Sequence, residues 1–397
     1  MNVLFLTMNP FTGIDMHNIY SDLMKEFIAH GHRPYIVTPR EKKLGEPTEL
    51  VEFEEYAILK VQIGNTSGVS LIEKGISTVT LSGKFYRAVK KQLGHVQIDL
   101  ILYSTPPITL AGPVKKLKKL FGCPTYLMLK DIFPQNAVDL GMFSKNGPIH
   151  YYFRKKEQLL YKVSDRIGCM SQANIRFLSE NNPHIPMQKI ELCPNGIIPN
   201  LAQSRQEQKQ LLRSRYHIPE KATVYLYGGN LGKPQAIDHL VECLKQNRNM
   251  EDRYFIICGS GSEFGILERF FRECQPSNMQ LISFLPKQEY DVLVQGCDVG
   301  LIFLDKRFTI PNYPSRILSY MEYAMPVIAC TDKNTDIGSD AVENGYGFWC
   351  ESVDPADFTA CVNRMNKANQ VAMGEKARVY LEKNFTADRC YQIIIGE

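Results

Sequence analysis

The segment Pro311-Asn312-Tyr313-Pro314-Ser315-Arg316 through Glu322 carries the residue types and spacing from which an anion site can be assembled. Pro311 and Pro314 force an extended approach, and Ser315 is a residue type that caps helices, so a helix is expected over 315–323. Its first N–H groups, with their partial positive charge, then stand beside Arg316, an arrangement suited to a diphosphate. Ser315, Ser319 and Glu322 recur at i, i+4, i+7 and share one helix face. A carboxylate two turns below a phosphate site is placed to accept hydrogen bonds from ribose hydroxyls. The plainer alternative is a capped helix with a solvated arginine and glutamate.

Two glycine-rich segments follow strand-like runs in the same half of the chain. Gly228-Gly229-Asn230-Leu231-Gly232-Lys233 falls short of a P-loop. Three residues instead of four separate Gly228 from the Gly-Lys pair when counted back from Gly232, and Pro234 occupies the magnesium-binding Ser/Thr position. A strand-to-helix turn around Gly229, Asn230 and Lys233 remains, through which a ligand can approach backbone N–H groups. Gly259-Ser260-Gly261-Ser262-Glu263-Phe264-Gly265 places its third glycine one position too late for a dinucleotide fingerprint. It reads as a nucleotide-facing loop holding Gly259, Gly261 and Glu263 at a strand's carboxyl end. In the first half, Gly13 follows the opening strand and leaves room for a phosphate or sugar. Asp131 follows the run Thr125–Leu129, where a carboxylate faces the ligand crevice of an open sheet. His17, early in the first helix, is left open between ligand and solvent.

These positions need strand ends to hold them, and the apolar periodicity supplies two sets. Strands are expected at Asn2–Thr7, Pro34–Val37, Asp99–Tyr103, Thr125–Leu129, Arg166–Met170 and Ile190–Cys193. Helical spacing falls at Ile19–Ala29, Gly83–Leu93, Leu110–Phe121, Ile149–Lys162 and Ala173–Glu180. After a polar stretch, Gln203–Arg215, the alternation restarts with strands at 223–227, 254–258, 279–283, 299–303 and 327–329, separated by helices. The segment 41–75 reads as loop or small strands. An α/β architecture of two doubly wound parallel-sheet units results, divided as 1–200 and 201–378. A C-terminal helix at 379–397 is expected to return to the first unit.

Composition narrows the function classes. Of 397 residues, 44% are hydrophobic and 22% charged, which excludes disorder as the main state. The 46 basic and 42 acidic residues leave +4, too mild for a nucleic-acid binder. Eleven cysteines form no C-x-x-C pair or zinc spacing, so no metal site is expected, and buried free thiols imply a reducing compartment. The short apolar start lacks a basic leader, and no run approaches the roughly 18–20 apolar residues of a membrane span. A cytoplasmic protein is expected, with membrane contact at its surface.

Taken in order, the Gly13 loop, Lys130-Asp131-Ile132-Phe133-Pro134, Pro194-Asn195-Gly196, Gly228–Gln235, Gly259–Glu263 and Pro311–Glu322 resemble the GT-B glycosyltransferases of family 4. The likeness is to the bacterial capsule and O-antigen branch. It spans nearly the whole chain and implies two Rossmann-like domains facing across a cleft. It further implies a retaining, metal-independent enzyme without a cofactor, using a nucleotide-sugar co-substrate, UDP-linked by family expectation. The acceptor would bind the first domain and the donor the second. Many members carry Glu, seven residues, then Glu; here Glu322 stands second and Pro314 first. Many clamp the diphosphate with Arg and Lys after the glycine turn; here Asn230 and Gln235 stand there. The clamp therefore passes to Arg316, with Lys233 in reserve. Without a carboxylate pair, front-face attack is implied, with the donor phosphate taking the acceptor proton and Asp131 orienting the acceptor hydroxyl or sugar. The donor sugar is expected to be a hexose or N-acetylhexosamine and the acceptor a polyprenyl-diphosphate-linked glycan. A nucleotide-sugar epimerase and a non-catalytic partner subunit are the alternatives.

The charge is unevenly divided: 24 basic against 17 acidic residues up to Asn195, and 22 against 25 after it. Lys115, Lys116, Lys118 and Lys119 cluster on one amphipathic helix of the basic half. With His17 on the acceptor side, that half is expected to dock on an anionic bilayer, placing the enzyme on the inner face of the cytoplasmic membrane.

Overall fold

A computed structural model describes residues 1–65, 71–201 and 205–396. Residues 66–70 of the segment read as loop and 202–204 at the start of the polar stretch lie outside them.

The chain forms two compact units, Met1–Ile198 with Ala387–Glu397, and Pro199–Thr386. In the first, β1 (Asn2–Leu6), β2 (Arg33–Glu41), β3 (Glu49–Glu52), β4 (Ala57–Ile63), β5 (Leu100–Ser104), β6 (Thr125–Leu129), β7 (Arg166–Cys169) and β8 (Ile190–Leu192) form one sheet. Its order is β3-β4-β2-β1-β5-β6-β7-β8; β3 runs antiparallel to β4 and the other neighbours are parallel. The run Val3-Leu4-Phe5-Leu6 is apolar throughout because both faces are covered. Leu4 and Leu6 pack with Phe85, Val89, Val114 and Leu117 from the helices Leu71–Leu93 and Ala111–Phe121. Val3 and Phe5 pack with Leu23, Phe27, Tyr391 and Ile394 on the opposite face. Asn18 opens the helix Ile19–Ala29 by accepting from the Tyr20 and Ser21 N–H groups.

The segment 41–75 was not informative in sequence; it supplies β3 and β4, an edge hairpin whose β4 (AILKVQI) interrupts strict alternation. The helix Ala387–Ile395 packs within this first unit. Tyr391 stacks on His30 (centroids 4.1 Å) and meets Phe27 edge-on at 5.0 Å. Arg166 donates to the Ile393 and Ile394 carbonyls at 2.6 and 2.9 Å, satisfying groups a helix end leaves unpaired.

The second unit is a parallel sheet ordered β11-β10-β9-β12-β13-β14. Its strands are β9 (Thr223–Asn230), β10 (Arg253–Ser260), β11 (Met279–Ile282), β12 (Val299–Phe303), β13 (Val327–Thr331) and β14 (Gly347–Glu351). The order reverses between β9 and β12, the place where open α/β sheets bind ligands beyond the strands' carboxyl ends. The polar stretch after residue 204 is the helix Gln206–Tyr216, with Leu212 buried and Lys209 and Arg213 paired to Asp298. One buried leucine per three turns left no apolar periodicity to read. The helix Gln370–Asn384 lies in the second unit, so the element that crosses to the first is shorter than expected from sequence.

Candidate functional site

In the second unit the glycine segments are largely strand. Gly228, Gly229 and Asn230 end β9 and pair with Cys258, Gly259 and Ser260 of β10. Beyond the pairing, the Leu231 N–H donates to the Ser260 carbonyl and the Glu263 N–H to the Leu231 carbonyl, both at 2.9 Å. A Cβ on Gly259 would stand 1.9 Å from the Gly229 oxygen, and one on Gly261 2.2 Å from the Leu231 oxygen. These two glycines are therefore required by the neighbouring main chain. Their identity is thus explained without a nucleotide, and the nucleotide-facing reading of the loop rests on its place at the carboxyl end of β10.

Gly229 has φ +123°, and a Cβ there would meet the Arg316 guanidinium at 3.4 Å. Arg316 lies over the Tyr227 ring, 4.5 Å from its centroid. Its Nη1 is buried without a hydrogen-bond partner. Burial works against the guanidinium's charge, but the surrounding tyrosine hydroxyls, Tyr227 first, outweigh it and raise its pKa further. Tyr320 Oη accepts from the Gly228 N–H at 3.1 Å. The result is a part-buried cation with one buried, unused donor, Nη1, beside the end of β9, which is chemistry for an anionic oxygen.

Three contacts position Arg316. The Asn312 N–H donates to Thr335 Oγ1 (3.0 Å), Tyr313 Oη donates to Asp340 Oδ2 (2.9 Å), and the half-buried Pro314 carbonyl accepts from the Ile317 N–H (3.2 Å). Burial lifts the Asp340 carboxyl to about 6, with Asp336 and Glu343 adding to the rise and the Tyr313 bond opposing it. Ser315 departs from expectation: it is exposed, has helical φ and ψ, and makes no side-chain cap. The helix Arg316–Glu322 has only seven residues, and the Ile317 and Leu318 N–H groups bond within its first turn. The anion-binding capacity therefore rests on the arginine more than on a capped helix end.

Glu322 closes the other end of that helix. It is buried, and its Oε1 accepts from the Asn200 N–H at 2.9 Å. It lines a cavity with Arg205, Lys209 and Arg378, and Arg378 also donates to the Glu322 and Asn200 carbonyls. The carboxylate is thus turned to the segment entering the unit, and Glu322 and Arg316 occupy opposite helix ends.

Lys233 and Glu263 line a cavity of about 620 Å³ between the helices Ile237–Gln246 and Phe264–Cys274. Burial, then Asp238, raises the Glu263 pKa against the pull of Lys233. Asn230 donates to Gln235 Oε1 at 2.9 Å, so the two residues at the family's clamp positions brace the turn.

In the first unit, a Cβ on Gly13 would meet only Tyr56 Oη, at an ordinary 3.9 Å. Nearby, a cavity of about 660 Å³ is lined by Thr12, Thr38, Arg40, Lys43 and Lys60. Thr105 Oγ1 accepts from the Lys130 and Asp131 N–H groups at 3.0 and 3.3 Å, fixing the chain where it leaves β6. Burial raises the Asp131 pKa against Lys130. Lys130 was not singled out in the sequence. Its Nζ sits 4.0 Å from the Tyr20 ring centroid and is buried without a hydrogen-bond partner. A lysine directly after a buried strand and before an aspartate was the signal available. His17 Nδ1 lies 2.8 Å from Oδ2 of the fully buried Asp22, which also accepts from Lys25 and from the Ile198 N–H.

The lysine cluster is only partly free. Lys118 donates to both Asp165 oxygens at 2.6 and 2.7 Å, Lys116 lies over Tyr86, and Leu117 belongs to the core. Lys115 and Lys119 are exposed. A patch not recognised in sequence lies at 142–156. Met142 (66% exposed), Ile149 (55%), Tyr151 (60%) and Tyr152 (42%) stand there with Lys155 and Lys156, which lie over the two tyrosine rings.

The first unit matches the family Glycosyltransferase Family 4 over residues 18–201, and the second matches Glycosyl transferases group 1 over residues 208–384. The chain is 22% identical over 322 residues, 80% of its length and 78% of the relative's, to the probable glycosyltransferase WbjE of Pseudomonas aeruginosa. It is 24% identical over 250 residues, 60% and 59% of the two lengths, to WcaI of Escherichia coli (strain K12), named as a colanic acid biosynthesis glycosyl transferase. Anabaena HepE, solved with UDP and glucose, shares the fold at a TM-score of 0.71 and 15% identity, over 100% of this chain and 98% of that one.

Proposed function

Because the chain belongs to the glycosyltransferases, joining a family 4 domain to a group 1 domain in the GT-B fold, we propose that it transfers a sugar from a UDP-sugar to a lipid-linked glycan in bacterial surface polysaccharide synthesis. The observation that carries the donor half of this reading is Arg316 Nη1, buried and unpartnered beside Gly229. A diphosphate oxygen there would receive a charge-assisted hydrogen bond and neutralise a part-buried cation. UDP is favoured by the UDP complex of the structurally similar HepE, and polysaccharide synthesis by the name of WcaI.

In this reading Arg316 stabilises the leaving diphosphate, with Lys233 available to its outer oxygens. The first unit takes the acceptor: Gly13 gives it backbone access, while Lys130 and Asp131 orient the hydroxyl that attacks. Transfer proceeds with retention and without a metal or cofactor. The attacking hydroxyl forms the new C–O bond on the face from which the diphosphate departs and passes its proton to a donor phosphate oxygen. Glu322 acts as a positioning residue holding Asn200. Contact with an anionic bilayer through the first unit brings the enzyme to a lipid-borne acceptor.

Purified protein incubated with a panel of UDP-hexoses and UDP-N-acetylhexosamines, with and without a polyprenyl-diphosphate-linked glycan, tests the proposal. Acceptor-dependent UDP release with an α-to-α product is expected for an α-linked donor. Conversion of the UDP-sugar without acceptor would make the protein an epimerase. Absence of both turnover and UDP binding would overturn the reading. Asp131→Ala is expected to lower kcat with the UDP Kd within twofold.

A further inference from the structure

Four of the eleven free cysteines meet in one place in the second unit. Cys243 lies on the helix Ile237–Gln246, Cys330 on β13, Cys350 on β14 and Cys361 on the helix Pro355–Lys367, and all four are buried. His239, one helical turn before Cys243, places Nε2 3.5 Å from Cys243 Sγ and 3.5 Å from Cys330 Sγ. The Cys243 and Cys330 thiols also touch each other, and Cys330 touches Cys350. His239 lines the 620 Å³ cavity, whereas none of the four thiols does. The imidazole thus stands between that cavity and a pair of thiols.

The electrostatics agree with this geometry. The bond with Cys330 holds Cys243 down, at about 7, against burial and with the help of His239, while Cys350, bonded to Cys330 and Cys361, is held lower still, at about 4. His239 is raised: burial works against its charge, but Cys243 outweighs it, with Cys350 adding and Lys306 opposing. Burial pushes Cys330 up. A thiol held down beside an imidazole and flanked by a second thiol has the partners of a reactive pair; both sulfurs are buried, so access is through the cavity that His239 borders. Among the described residues no three His, Cys, Asp or Glu side chains are placed to hold a metal ion.

We propose that His239, Cys243 and Cys330 form a peroxide-reactive dithiol centre that closes a Cys243–Cys330 disulfide. The Cys243 sulfur attacks one oxygen of hydrogen peroxide, an S–O bond forms, the O–O bond breaks, and the departing hydroxide takes a proton from His239 as water. The Cys330 thiol gives its proton to His239 and attacks the Cys243 sulfur. The S–S bond forms, the S–O bond breaks, and hydroxide leaves as a second water with that proton. The two thiols lose two electrons and peroxide gains them. Cys330 bonds to the helix and not to β14 because it is in direct register with Cys350. Registered neighbours stand side by side at the strand spacing of about 4.8 Å, wider than the ~3.8 Å Cβ separation of a disulfide.

The full-length protein, treated with hydrogen peroxide, quenched with catalase, alkylated in denaturant and peptide-mapped, tests it. The expected product is a Cys243–Cys330 cross-link, 2 mass units lighter and reversed by dithiothreitol. In Cys330→Ser, dimedone is expected to label Cys243. In His239→Gln, cross-linking is expected to slow at least tenfold, and urea-unfolded protein should show no preference for this pair. Exclusive oxidation of the less buried Cys274, with Cys243 and Cys330 fully alkylated, would overturn the proposal. So would a wild-type rate in His239→Gln.

Discussion

Arg316 and Tyr227 form a face-on pair, guanidinium carbon 4.5 Å from ring centroid, in which the arginine keeps one nitrogen unbonded. The pair joins the helix Arg316–Glu322 to β9 at the point where the sheet order reverses. A cation–π contact offsets part of the desolvation of the charge without occupying its in-plane donors. The Nη1 donor consequently remains for a ligand.

Arg316→Ala should weaken UDP binding by about 10- to 100-fold, the range for losing a charge-assisted hydrogen bond of about 1.5–3 kcal/mol. Titration calorimetry with UDP and with uridine separates the effect. The loss should be large for UDP and near twofold for uridine, and equal losses would remove Arg316 from the diphosphate.

Gly259→Ala should destabilise the second unit by about 1–3 kcal/mol, because the added carbon meets the Gly229 carbonyl, a main-chain atom within a paired strand. Gly13→Ala meets only ordinary contact and should leave the melting temperature within 1 °C, about the effect of a few tenths of a kcal/mol. Differential scanning fluorimetry compares the two.

Glu322→Ala removes the acceptor of the Asn200 N–H inside the protein. A cost of about 1–3 kcal/mol is expected from the orphaned donor, read as a lower urea midpoint, with UDP affinity changed less than twofold. A large affinity loss at unchanged stability would return Glu322 to the ribose.

Asp340 gives a pH signature. Its carboxyl titrates near 6 in the fold against 3.8 for the free side chain, chiefly through burial. The protonated form favours folding, so its contribution is full below about pH 3.8 and is lost as the pH rises through about 6. Asp340→Asn keeps an acceptor for Tyr313 and should therefore melt higher than wild type at pH 7.5. The difference should shrink through pH 6 and vanish near pH 3.8.

Membrane contact divides two surfaces. Tyr151→Ser with Lys155→Glu and Lys156→Glu should reduce flotation with vesicles containing anionic phospholipid at least fivefold. Lys115→Glu with Lys119→Glu should reduce it less, because that helix turns Leu117 to the core and ties Lys118 to Asp165. The reverse order would place the contact on the lysine helix.

The period of apolar residues was enough to assign both Rossmann-like units, since strands such as Asn2–Leu6 and Val299–Phe303 are buried on both faces and read as unbroken apolar runs. It failed for Gln206–Tyr216, which buries one leucine, and for β3 and β4, which lie at a sheet edge. The chemistry of the candidate site divides in the same way. Asp131 and Lys233 could be named from residue type and position after a strand, because the fold class places strand ends at the ligand crevice, and Arg316 from its place at a helix start behind two prolines. Which polar atoms are already spent was decided by tertiary contacts alone. Glycine in sequence does not distinguish Gly259, filled by the Gly229 carbonyl, from Gly13, which faces space. Glutamate at i+7 does not disclose that Asn200, 122 residues away, takes its carboxylate. Lys130, and the Cys243 and Cys330 thiols that meet at His239 from a helix and a strand, acquire their character from burial and from what the fold packs against them. Residue type fixes what a group can do; the free energy of leaving it unpaired is set by what the fold brings within hydrogen-bonding reach.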